Sequence, residues 1–305
     1  MAIFDEYARA RQSAVKVLVL GGTGSIGASV VTSLLSRQYE VLGLARSQSA
    51  AESLSVQGAQ PIHGDMRRPN EWAEVAESVD AVIQVAGDFT VEADRVGRNL
   101  ISTLFGRLKA RRRRHPAAYL YTGGCWLYGN TRDRVATEAS HFDAPAAWAW
   151  SIDHLMMVLG DTEVRGIVIH PAMVYERDGG VLAQFRADLA TLGRVRIFGH
   201  ENVRWPMVHR ADIGELYTLA LEHAERGASY NGAAVDSITV GALARAMARR
   251  AGVETTPLVR PIDEAVAEFG EWARGYAMDQ RMSGARARRE LAWLPVHCDP
   301  IADIS

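Results

Sequence analysis

The sequence predicts an α/β protein: a doubly wound parallel sheet with a smaller, interwoven C-terminal unit. Three observations carry this expectation. Apolar strand-like runs alternate with helix-periodic segments from residue 15 to residue 171, a glycine trio joins the first strand to the first helix, and the alternation loosens beyond Pro171. With 305 residues, 48% of them hydrophobic, the chain is long enough for one large or two coupled domains.

Val17 to Leu20 reads as a buried strand, and Gly21, Gly24 and Gly27 follow at G-x-x-G-x-x-G spacing before helical periodicity takes over from Ala28 to Leu35. In such a turn the backbone approaches a pyrophosphate closely, and the free N–H groups and positive dipole end of the helix bind its charge. Gly21, Thr23, Gly24, Ser25, Ile26 and Gly27 are therefore expected to hold a dinucleotide. Glu40 to Ala45 is the second strand, followed at once by Arg46-Ser47. An acidic side chain at this junction would bind the adenosine ribose hydroxyls, whereas an arginine pairs with a 2′-phosphate. NADP(H) is accordingly expected over NAD(H).

Ala51 to Val56 reads as a helix and Gln60 to His63 as the third strand, ended by Gly64-Asp65. Asp65 is placed to accept from the adenine amino group or to cap the following turn, with Met66 beside it at the cofactor. A helix over Asn70 to Ser78 leads to a fourth strand, Asp80 to Gly87, whose small terminal residues Ala86 and Gly87 leave room for a ligand. The long helix Val91 to Arg112 runs into Arg111-Arg112-Arg113-Arg114. Cations at a helix C-terminus are favoured by the dipole, so the run is read as a solvated terminus and not as a nucleic-acid patch.

The fifth strand, Ala118 to Thr122, is followed by Gly123-Gly124-Cys125-Trp126-Leu127-Tyr128-Gly129. After a polar loop to Pro145 come a helix over Trp148 to Leu159 and a sixth strand, Gly166 to His170. Beyond Pro171 the expected helices are Val181–Leu192, Asp212–Glu225, Val240–Arg250, one or two over Ile262–Tyr276, and Arg286–Leu291; the expected strands are Val195–Phe198, Trp205–His209 and Ala228–Asn231. The division that follows is an extension over 1–14, a dinucleotide-binding unit over 15–172 to which 203–226 returns, and a smaller substrate-binding unit from 173–202 and 227–305.

Composition narrows the partners. A net charge of -2 offers no global field for nucleic acid or an anionic membrane, which leaves a small-molecule substrate. Cys125 and Cys298 cannot build a disulfide framework, no Cys/His spacing suits zinc, and residues 1–14 hold no long apolar run. A soluble cytoplasmic protein without a metal is expected.

Taken together, these segments resemble the short-chain dehydrogenase/reductase superfamily, in its extended or atypical, epimerase/dehydratase-like branch with a Rossmann-type sheet. The resemblance is carried by the glycine trio, Gly64-Asp65, Ala86-Gly87, Tyr121-Thr122-Gly123-Gly124 with Tyr128-Gly129, Pro171-Ala172-Met173-Val174-Tyr175, Val208 to Asp212, and Ser283 to Pro295 with Ala292 in place of a glycine. It implies that Thr122, Pro171 and Met173 also border the cofactor.

It also implies a Ser or Thr after the fifth strand and a Tyr-x-x-x-Lys pair on the next helix, the tyrosine moving a proton while the lysine lowers its pKa. Here those positions fall on Gly124, Trp150 and His154. The only lysines are Lys16 and Lys109, so no register restores the pair. An indole donates a hydrogen bond but is no practical acid. Tyr128, His154 and Thr122 are the substitute catalytic candidates, with His154 on the nicotinamide ribose; Cys125, Trp126, Tyr128, Trp150, Tyr175 and Arg204 are expected to line the substrate site. The reading is an NADP-dependent reductase of a small organic substrate, alongside a non-redox cyclase, dehydratase or isomerase and an inactive NADP-binding sensor. By analogy with such relatives, helices 91–112 and 148–159 are expected to pair in a homodimer.

Overall fold

The computed structural model describes residues 15–87, 90–111, 115–177 and 179–304. The 1–14 extension and Arg112 to Arg114 lie outside these. Strands β1 (Lys16–Leu20), β2 (Glu40–Ala45), β3 (Gln60–His63), β4 (Ala81–Gln84), β5 (Ala118–Thr122), β6 (Arg165–Pro171) and a later strand, Ala228–Gly232, form a seven-stranded sheet. All its pairings are parallel. Its order places β1 between β4 and β2. The connections leave β1 in opposite directions there, and the crevice this opens at the strand C-termini is where such sheets take ligands.

Both faces of the sheet are covered, which is why its strands read as continuous apolar runs. Val17, Leu18, Val19, Val82 and Ile83 are all fully buried. Helices α1 (Ser25–Ser36) and α2 (Gln48–Gln57) follow β1 and β2, while α3 (Ala93–Ala110) and α4 (Ala146–Gly160) cover the side where Leu100, Leu104, Tyr119, Tyr121, Leu155 and Val158 pack. Of the apolar run at 155–159, Leu155 and Val158 belong to this core and only Met156 is exposed.

After β6 the chain passes through Ala172 into a second, four-stranded sheet made of β7 (Met173–Glu176), β8 (Gly179–Gly180), Arg204–His209 and Val235–Thr239. Within the returning segment 203–226, strand Arg204–His209 thus belongs to the second sheet, and only the helix Arg210–His223 comes back to the first. That helix crosses α1 closely: a Cβ at Gly214 would lie 2.6 Å from the Ser29 carbonyl oxygen. Ala228–Gly232, expected in the smaller unit, is instead an edge strand of the first sheet beside β6. Five-residue strands carry too little pattern to reveal which sheet they join; pairing is a tertiary choice.

The expected helix at 70–78 is two 3₁₀ segments, Pro69–Glu71 and Ala73–Ser78. Trp72 interrupts them, its Nε1 donating to the Asp65 carbonyl (2.8 Å) and its ring packed where a Gly64 Cβ would stand. The expected helices over 262–276 are one helix, Ile262–Phe269, and a 3₁₀ segment, Glu271–Ala277. Among the described residues no helix is long and apolar enough to cross a membrane.

Candidate active site

The glycine turn is closed by backbone alone. Gly24 N–H donates to the Gly21 carbonyl at 3.0 Å and Ala28 N–H to the Gly24 carbonyl at 2.8 Å. Gly21 has φ +91°, where an L side chain is strained. At Gly27 a Cβ would stand 2.0 Å from the Gly21 oxygen, so helix and turn meet only because that atom is missing. No acidic residue occupies the first turn of α1, and Ser25 Oγ is buried without a protein partner. A space kept clear by missing Cβ atoms, a helix N-terminus free of acid and an orphaned hydroxyl fit a bound pyrophosphate.

From this turn a cleft of about 540 Å³ runs over β2 and β3, lined by Gly21, Thr23, Arg46, Ser47, Asp65 and Met66, together with Ser49 and Ser53. Arg46 is exposed and has no carboxylate partner among the described residues. Ser47 caps α2, accepting from Ala50 N–H (3.2 Å), and its Oγ lies 3.0 Å from Ser49 Oγ. The first turn of α2 also lacks acid. A guanidinium, two hydroxyls and a helix N-terminus therefore line the same part of the cleft. Asp65 caps its own turn through Oδ1 to Arg67 N–H (2.9 Å), while still lining the cleft.

A second cavity of about 400 Å³ lies over the ends of β4, β5 and β6. Ala86 and Gly87 line both spaces, so the two form one groove. Ile26, Thr122, Pro171 and Met173, named as cofactor contacts, and Cys125, Trp126 and Trp150, named as substrate-lining, all border the second part, together with Tyr121, Trp148, Ser151, Val181 and Tyr276.

Four of the expected catalytic and substrate-lining residues are not among those lining the groove. Tyr128 is buried, its hydroxyl donating to Asn231 Oδ1 (2.8 Å), and burial pushes its pKa well above the usual phenol range. Tyr175 is fully buried with its hydroxyl on Asp303. Arg204 is bound by both oxygens of Asp279, Nε at 2.8 Å and Nη2 at 2.6 Å. His154 is fully buried beneath the groove, its ring filling the place of a Gly97 Cβ on α3. In each case a polar group found a protein partner, which no local pattern announces.

The remaining candidates are constrained as well. Thr122 Oγ1 donates to the Gln84 carbonyl (2.7 Å) and sits 2.6 Å from the Tyr217 hydroxyl. Burial pushes the Cys125 thiol up to about 12, which removes it as a nucleophile at neutral pH. Trp150 donates Nε1–H to the Ala147 carbonyl. At Gly124 a Cβ would meet nothing within 4 Å, so the space for a hydroxyl side chain is open and unused.

Of the two tyrosines that line the groove, Tyr121 and Tyr276, the one on β5 is Tyr121. Its hydroxyl lies 3.3 Å from His154 Nδ1, and His154 Nε2 lies 3.1 Å from Asp94 Oδ1 and 3.2 Å from the Asp94 carbonyl. A carboxylate and a carbonyl only accept, so Nε2 carries the hydrogen and Nδ1 accepts from Tyr121. Burial holds the His154 pKa below its ordinary value against the opposing pull of Asp94. The imidazole is neutral at rest.

This combination of parallel sheet, glycine turn and two-part groove defines a dinucleotide-binding protein of the extended short-chain dehydrogenase/reductase class. Residues 17–233 match the model of the NAD dependent epimerase/dehydratase family, and the chain belongs to that family. An uncharacterised protein of Schizosaccharomyces pombe is 24% identical over 95% of this chain and 98% of its own length. The 2-alkyl-3-oxoalkanoate reductase of Stenotrophomonas maltophilia is 25% identical over 72% of this chain and 69% of its own. Among solved structures, the human epimerase family protein SDR39U1 with NADPH superposes with a TM-score of 0.76 at 20% identity, covering 95% of this chain and 98% of that one. The UDP-glucose 4-epimerase of Thermotoga maritima with UDP-glucose gives 0.78 at 18% identity, covering 95% and 97%.

Proposed function

We propose that this protein is an NADP(H)-dependent oxidoreductase acting on a small organic molecule, with Tyr121 taking the part of the missing helix tyrosine. The observation that carries this reading is the two-part groove: the Arg46, Ser47 and Ser49 cluster and the glycine turn line one part, and a largely apolar cavity that adjoins it at Ala86 and Gly87 forms the other. NADPH of the human neighbour with the same fold supports the dinucleotide. Bound here, NADP(H) would supply or take up the hydride. Arg46 holds the 2′-phosphate, the α1 N-terminus and Ser25 hold the pyrophosphate, and Ala86, Gly87, Pro171 and Met173 leave a slot for the nicotinamide.

Proton transfer falls to the chain's own residues. In the oxidising direction the Tyr121 oxygen accepts the substrate hydroxyl proton as its own proton passes to His154 Nδ1. Asp94 then balances the imidazolium, and reduction runs the same path backwards. His154 thereby acts through Tyr121 as a positioning residue.

The test is titration of NADPH and NADH into wild type and Arg46→Ala, followed by NADPH consumption with a panel of aldehydes, ketones and quinones. Tighter NADPH binding that Arg46→Ala abolishes, with nicotinamide oxidation coupled to product, supports the reading. Equal affinities, or product without a change in nicotinamide oxidation state, overturn it.

A further inference from the structure

The second half of the groove is unusual in what it lacks. Among the described residues lining it there is no charged side chain. In the covering segments Arg204 is held by Asp279, and Arg274 by Glu271 (2.7 Å) and Asp263 (3.2 Å). A diphosphate or carboxylate entering this space would lose its hydration and gain no counter-ion.

What the cavity offers instead is rigid aromatic surface. Trp126 stands edge-on to Trp148 (5.5 Å between ring centres) and to Tyr276 (5.6 Å), and stacks on Trp272 at 6.1 Å and 27°. A Cβ at Gly275 would lie 2.3 Å from the Trp126 ring, so the covering segment packs its bare backbone on the indole. Held on these sides, the ring is set before any ligand arrives, which reduces the ordering cost of binding. Its Nε1 is buried and has no acceptor among the described residues. An unmet buried donor on a residue that lines the cavity calls for an acceptor.

We infer that the substrate is an uncharged, planar aromatic molecule bearing a hydrogen-bond acceptor, which stacks in the tryptophan-lined cavity and receives the Trp126 Nε1–H. This deepens the proposed function and rests on the same groove. It separates this protein from relatives of its fold that handle nucleotide sugars, because the groups a diphosphate needs are absent from the cavity and the faces a flat ring needs are present.

Three probes of graded chemistry test it by calorimetry on the full chain saturated with NADP⁺: 2-acetonaphthone, its near-isosteric anion 2-naphthoate, and UDP-glucose. The ketone is expected to bind at least about tenfold more tightly than the naphthoate, in line with the loss of a desolvated charge, and UDP-glucose not at all. Trp126→Phe keeps a ring and removes the donor; the ketone's affinity should drop about tenfold while NADP⁺ binding is unchanged. Naphthoate or UDP-glucose binding as well as the ketone, or a ketone that fails to bind the NADP⁺-loaded protein, overturns the inference and leaves the dinucleotide reading intact. A ketone that binds while NADP⁺ does not overturns the dinucleotide reading and supports the pocket assignment. The probe comparison uses wild type alone, so it stands even if Trp126→Phe does not fold.

Discussion

The phosphate half of the groove and its aromatic half are built in opposite ways. Between Leu20 and Met66 the chain makes most of the first half, from a turn, two helix N-termini and the ends of β1, β2 and β3, with Ala86 and Gly87 after β4 completing it, and much of its chemistry resides in backbone N–H groups that glycine leaves uncovered. The second half draws Trp126 from the loop after β5, Trp148 and Trp150 from α4, Met173 from β7 and Tyr276 from a 3₁₀ segment near the C-terminus. One half depends on atoms that are missing. The other depends on side chains that distant segments bring together, and there the same residue type meets the cavity or not according to its neighbours: Tyr121 lines the groove, while Tyr128, a few residues on, is sealed against Asn231.

The largest test of that difference is Tyr121→Phe. If the phenol on β5 moves the proton, turnover falls by about 10²- to 10⁴-fold with NADPH affinity intact. Steady-state kinetics on the first active substrate of the panel check this, and Tyr128→Phe, which removes a hydroxyl bound only to Asn231, serves as the contrast with near wild-type turnover. Because reduction begins with a protonated His154, its rate should fall as pH rises through that residue's lowered pKa, and His154→Asn should flatten the profile.

Next in size is the acid sensitivity of the loop beneath the aromatic half. His170 is fully buried against Tyr128 and Phe142, accepts from Gly124 N–H, and burial lowers its pKa to about 4. The folded value lies below the unfolded one, so its stabilising contribution is present above about pH 6.5 and is lost as pH falls towards about 4. The loss is on the order of 3 kcal/mol. Urea unfolding of wild type and His170→Gln at neutral and acidic pH reads it, the variant losing less stability on acidification.

Gly27→Ala tests the phosphate half. The Cβ drives into the Gly21 carbonyl, overpacking of a kind that costs about 1–3 kcal/mol, and NADPH affinity should fall by roughly 10- to 100-fold, measured by fluorescence titration. Arg46→Ala should weaken NADPH by about tenfold and leave NADH unchanged, since one charge-assisted contact is removed. The smallest effect is expected at Gly124→Ser. Nothing crowds that position, so thermal unfolding should shift by the equivalent of less than about 1 kcal/mol. A large loss there would mean that the aromatic half, too, is held by its glycines.

Much of this fold is legible in the sequence. The six strands from Lys16 to Pro171 fall close to their expected places, because parallel strands buried on both faces must be apolar throughout and the turns between them are short. Arg46, Asp65, Ala86 and Gly87 can be named as candidates from sequence because each follows the end of a strand, and strand ends are marked locally. His154, Tyr175 and Arg204 were misplaced because the sequence shows a side chain's type and not its partner. Tyr121, Trp148 and Tyr276 were missed because aromatic residues in a strand, helix or loop read as core until another segment leaves one side of them open.

The sequence by itself determined the parallel sheet, the dinucleotide turn and the absence of a Tyr-x-x-x-Lys pair, since each depends on residues near one another in the chain or on a residue type that is scarce. Tertiary structure alone decided that Ala228–Gly232 completes the first sheet, that Tyr121 meets His154 and His154 in turn meets Asp94, and that the tryptophans line a cavity with no charged side chain among the described residues. Those outcomes depend on which surfaces meet, and hydrogen-bond satisfaction and packing settle that only when the whole chain has folded.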